Sequence, residues 1–85
     1  MIGLYRTRLE NLDELREGKT IVYLAKLIQC PRQYLNSVFT GKILIDDQKA
    51  YTIIKSICKE SYKLNQKLEK YGIDAMISHF FKKIN

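Results

Sequence analysis

Planar side chains that form paired hydrogen bonds cluster in one short stretch of this chain: Arg32, Gln33 and Asn36. A guanidinium bonds guanine O6 and N7 together, and a carboxamide can do the same with adenine. The surrounding charge favours an anionic ligand. From Gly18 to Ile45 the charged residues are Lys19, Lys26, Arg32 and Lys42, with no Asp or Glu among them. The whole chain carries +6, from 15 basic and 9 acidic residues, and such an excess steers polyanions over long range. Other chemistries lack their parts. There are no paired carboxylates, no Gly-rich phosphate loop and no nucleophile with a base at useful spacing, so the chain is not expected to be an enzyme. His79 is the only histidine, and Cys30 and Cys58 lie far apart without CxxC or Cys/His spacing. No metal site and no cofactor are therefore expected. Both thiols should be reduced and at least partly buried, since free cysteine packs as a small hydrophobe.

The elements that must position these residues are short helices. An 85-residue chain is one domain, here residues 1–85, and four glycines and one proline are too few breakers for a turn-rich sheet protein. The expected class is all-α, a compact bundle of five to six short helices containing a helix-turn-helix. No signal peptide is visible, and no apolar run reaches the roughly 20 residues of a membrane span. A cytoplasmic protein with no membrane partner is expected.

The first helix is predicted over residues 7–17, with Thr7 and Glu10 at capping-box spacing, Leu9, Leu12 and Leu15 as its apolar stripe, and Gly18 as a left-handed stop. Leu4 and Tyr5 either extend it backwards or pack as a lead-in arm. Thr20 caps a second helix over 21–28, with Leu24, Ala25 and Ile28 on one face. Gln29, Cys30 and Pro31 break the pattern, and a third helix follows over 32–40, burying Leu35, Val38 and Phe39 and ending at Gly41. Small Ala25 lets the two helices approach, and Leu35 and Val38 close the angle between them. That is the steric requirement of a helix-turn-helix.

Ile43, Leu44 and Ile45 form an apolar connector. Asp46 or Asp47 caps a fourth helix to about Lys59, carrying Ala50, Ile53, Ile54, Ile57 and Cys58 at helical rhythm. A fifth helix is predicted over 61–71, stopped by Gly72; it is either separate from the fourth or continuous with it. Asp74 caps a last helix through Lys83. Residues 61–85 thus form a C-terminal helical extension. Ile73, Met76, Ile77, Phe80 and Phe81 make its last helix apolar enough either to finish the core or to form a homodimer interface.

The stretch Leu24-Ala25-Lys26-Leu27-Ile28, followed by Arg32-Gln33-Tyr34-Leu35-Asn36-Ser37-Val38-Phe39-Thr40-Gly41-Lys42, resembles the lambda-repressor-like (Xre-type) helix-turn-helix regulators of phages and bacteria. The resemblance covers roughly residues 7–60. It implies that the third helix enters the major groove and that Arg32, Gln33, Tyr34, Asn36 and Ser37 read base edges. Lys19, Thr20, Thr40 and Lys42 would then hold phosphates. The chain departs from that family's pattern at Ile21, where Gln is usual, at Gln29, where Gly is usual, and at Pro31, where Ser or Thr is usual. Gln29 must then bear a left-handed conformation or distort the turn.

The expectation is a sequence-specific regulator that binds double-stranded DNA, a repressor or control protein of a phage or mobile element. The alternative is a protein-binding module or inhibitor that uses the same scaffold to hold a host protein, since a fold does not fix a function.

Overall fold

A computed structural model describes residues 3–85. Six helices and a small antiparallel sheet surround one core. The chain begins with strand β1 (Leu4–Thr7), followed by a 3-10 turn (Leu9–Asn11) and the short helix α1 (Leu12–Arg16). Helices α2 (Ile21–Ile28) and α3 (Arg32–Phe39) follow, then strand β2 (Ile45–Asp46) and the long helix α4 (Asp47–Lys59). Helices α5 (Tyr62–Tyr71) and α6 (Ile73–Phe80) lead into strand β3 (Phe81–Lys83). The class is therefore mostly helical, not all-α.

The sheet replaces two of the expected helical segments. Its order is β2-β1-β3, with Leu4 opposite Asp46, and with Tyr5, Arg6 and Thr7 opposite Lys83, Lys82 and Phe81. Successive strand side chains point to opposite faces, and Arg6 faces solvent while Thr7 is buried. Thr7 does not cap a helix. Its hydroxyl donates to the Val38 carbonyl of α3 at 2.8 Å, and the Glu10 side chain faces solvent. At the other end, α6 stops at Phe80 and not at Lys83. Extended backbone at Phe81 turns that ring inward opposite Thr7 and sends Lys82 outward beside Arg6, and the Arg8 N–H closes the ladder on Phe80 O at 2.8 Å.

The core is built where the apolar rhythm placed it. Leu24, Leu35, Val38, Ala50, Ile53, Ile54 and Leu64 are fully buried, and Leu15, Phe39, Ile57, Phe80 and Phe81 nearly or fully so. Ile45 of the connector joins this core, whereas Ile43 stays exposed. Asp46 caps α4, accepting from the Lys49 N–H at 2.8 Å. Helices α4 and α5 are separate, because the buried Ser61 hydroxyl accepts from the Leu64 N–H and starts α5 anew. Gly72 both ends α5 and precedes α6. Its φ of +89° and ψ of 164° lie in a region that only glycine enters without strain. Helix α6 therefore begins one residue ahead of the expected Asp74 cap, and Asp74 sits instead in its first turn.

The apolar residues of α6 are spent within the chain. Met76, Ile77, Phe80 and Phe81 are buried in the core, with Ile73 packed against it. The helix shows solvent Asp74, Ala75, Ser78 and His79. Among the described residues no helix is long and apolar enough to cross a membrane.

Candidate nucleic-acid interface

Helices α2 and α3 are each eight residues long and end in the same way. In α2 the Gln29 N–H bonds Lys26 O at 3.3 Å and Ala25 O at 2.8 Å, and the Cys30 N–H bonds Ala25 O at 3.0 Å. In α3 the Gly41 N–H bonds Val38 O at 3.1 Å and the Lys42 N–H bonds Ser37 O at 2.9 Å. Both are Schellman stops, which need a left-handed residue just past the helix. Gly41 supplies it at φ +83°, whereas Gln29 carries it at φ +67° despite its side chain. The departure at Gln29 thus leaves the turn geometry intact and is accommodated by backbone strain of about 1–2 kcal/mol.

Successive residues of α3 advance by roughly 100° around its axis. Arg32, Asn36, Thr40, Gln33 and Ser37 therefore follow one another around a single face, opposite Leu35, Val38 and Phe39. Arg32, Gln33, Asn36 and Thr40 are exposed and Ser37 is half-buried on this face. Tyr34 falls at its flank, half-buried against the core edge, with Lys49 Nζ 5.6 Å from the ring centroid. Burial, with smaller contributions from Cys30 and Asp46, pushes the Tyr34 hydroxyl above its ordinary pKa. That hydroxyl stays a neutral donor. Pro31 gives α3 no side-chain cap, and no acidic residue occupies its first turn.

The flanking positions differ in what they have left to offer. Thr20 caps α2 by accepting from the Tyr23 N–H at 3.1 Å, which leaves its hydroxyl proton free. Thr40 donates its proton back to Asn36 O at 2.9 Å. Lys19 is held by Glu17 at 3.4 Å and lies 5.9 Å from the Tyr23 ring centroid. Lys42 is exposed, and among the described residues neither it nor Arg32 forms an ion pair.

Two cations reach this region only through the tertiary structure. Lys49 comes from α4, over Tyr34. Arg6 comes from β1: a Cβ built on Gly41 would stand 3.5 Å from Arg6 Cδ, so the Arg6 stem lies across the end of α3. Neither was legible in the sequence, because the four residues Leu4–Thr7 show no alternation of apolar and polar side chains. Both cysteines are free, and burial raises both thiols above the ordinary value. Among the described residues no group of His, Cys, Asp and Glu could hold a metal ion.

Comparison with protein-family models, with curated proteins and with solved structures finds no match.

Proposed function

We propose that this protein is a sequence-specific double-stranded DNA-binding regulator, with α2 and α3 as a helix-turn-helix and α3 in the major groove. One observation carries the reading. Arg32, Gln33 and Asn36 share one solvent-facing side of α3, whose first turn carries no acid. These side-chain types pair bidentately with purine edges, each good pair contributing on the order of 1–3 kcal/mol of discrimination. Ser37 lies on the same side, and Tyr34 at its flank adds a neutral hydroxyl. Lys42, Lys19 and the free hydroxyl proton of Thr20 supply phosphate donors around it. The regulators that the sequence resembles act in this way as phage or bacterial repressors.

The test is selection of bound duplexes from a random pool at two salt concentrations. Enrichment of a defined site, with affinity that falls as salt rises, is the expected result. A palindromic site with half-sites roughly 34 Å apart would add homodimeric binding. Arg32→Ala should relax the preference at one position, whereas Lys42→Ala should weaken all sequences alike. Failure to bind any duplex at low salt would overturn the reading.

A second reading, a protein-binding module on the same helices, draws on Val22 and Tyr23, which leave apolar surface exposed on α2 at 41% and 43%. A stoichiometric protein partner retained from a nuclease-treated host lysate, with no duplex selected, would favour it.

A further inference from the structure

The sheet brings together cations that the sequence separates by almost its whole length. Arg6 and Lys82 stand directly opposite each other in the β1–β3 ladder, both exposed and on the same side of the sheet. Like charges directly opposite across two strands oppose folding. Among the described residues neither forms an ion pair with a carboxylate. The Arg6 stem also crosses Gly41, with Cδ 3.5 Å and Cγ 3.6 Å from where a Cβ would stand. Lys42, the next residue, is exposed and tied to α3 by its N–H bond to Ser37 O at 2.9 Å. An unneutralised cationic strip thus runs from the C-terminal end of α3 through Lys42 and Arg6 to Lys82.

We propose that Arg6 and Lys82, joined to α3 through Lys42, form a second phosphate-binding surface that grips the duplex backbone beyond the end of α3. The inference rests on the DNA-binding reading above and extends it to residues outside the helix pair. Two cations set face to face without a carboxylate repel each other, and a polyanion turns that repulsion into attraction. A guanidinium also matches the paired oxygens of a phosphate. Cations at the end of α3 would also favour its dipole, so the test must read something that a structural role leaves unmoved.

Salt dependence is such a readout. Each phosphate contact adds about −0.9 to the slope of log affinity against log salt. Between 50 and 200 mM salt that corresponds to about a 3.5-fold loss of affinity per contact. The full chain is titrated into a fluorescein-labelled mixed-sequence DNA duplex across that range. Arg6→Gln and Lys82→Gln should each flatten the slope by about 0.9, and the double variant should shrink the total salt-induced loss by about 12-fold. Arg6→Lys should keep the wild-type slope. Glutamine preserves most of the Arg6 stem over Gly41, and far-UV circular dichroism checks the fold. If the double variant does not fold, Lys82→Gln alone decides. Duplex binding by the wild type with an unchanged slope in folded variants overturns this surface and leaves the α3 reading standing. Absence of duplex binding by the wild type overturns both.

Discussion

Replacing Thr7 by valine separates two accounts of the N-terminal segment. Thr7 is 4% exposed, and its hydroxyl donates to Val38 O at 2.8 Å. Valine keeps the branched shape and removes the donor. The Val38 carbonyl is not orphaned, because the Gly41 N–H still reaches it at 3.1 Å. The loss is therefore the net value of one buried hydrogen bond, about 0.5–1.5 kcal/mol, and not a full desolvation penalty. In a domain of this size about 1 kcal/mol lowers Tm by roughly 4–8 °C. Glu10→Ala is the companion variant. Were Thr7 and Glu10 a capping box, both substitutions would cost about 1 kcal/mol. In the structure Glu10 has only a distant ion pair with Arg8 at 3.9 Å, so its removal should cost at most about 0.5 kcal/mol. Thermal melts followed by far-UV circular dichroism measure both. Hydrogen exchange at Gly41 and Lys42 should speed up in Thr7→Val, because the strand that braces the end of α3 is loosened. A neutral Thr7→Val, or a Glu10→Ala variant as damaged as Thr7→Val, would refute the bond from β1 to α3.

Two further perturbations test the turn and the acid limb. Gln29→Gly relieves left-handed strain of about 1–2 kcal/mol and adds roughly 0.5–1 kcal/mol of unfolded-state entropy, so a net gain of about 0–1.5 kcal/mol is expected in urea denaturation; a net loss would mean that the Gln29 side chain makes a contact of its own. Glu14 accepts from His79 at 2.8 Å and from Lys67 at 2.7 Å, and these hydrogen bonds, His79 foremost, lower its pKa. A depressed carboxyl contributes stability above its unfolded pKa of about 4.3 and loses it as pH falls through the folded value. Because Glu14 is partly exposed, the Tm deficit of Glu14→Gln at pH 6 should correspond to no more than about 1 kcal/mol. It should vanish near pH 2, and an equal deficit at both pH values would show that the effect is not ionic.

The sequence by itself determined the helical middle of this protein. From Thr20 to Lys59 each helix carries its own signals. Thr20 and Asp46 cap, Gly41 stops, and Leu24, Leu35, Ile53 and Ile57 repeat at helical spacing, all interactions that close within a few residues. The exposed face of α3 followed from that register alone, since burying Leu35, Val38 and Phe39 leaves Arg32, Gln33 and Asn36 outside. The tertiary structure decided the two ends. Strands of three and four residues offer no periodicity to detect, and Thr7 with Glu10 imitates a cap until the partner carbonyl of Val38 is in place. A pairing between Arg6 and Lys82 is created by folding, because the free energy that holds it comes from a ladder joining opposite ends of the chain. The same cause moved the apolar side chains of α6 inward: β3 ties the end of α6 to β1, and Phe80 and Phe81 have a core to enter. The reach of the cationic surface past α3 is thus a tertiary property, whereas the chemistry of α3 itself was already legible in its residues.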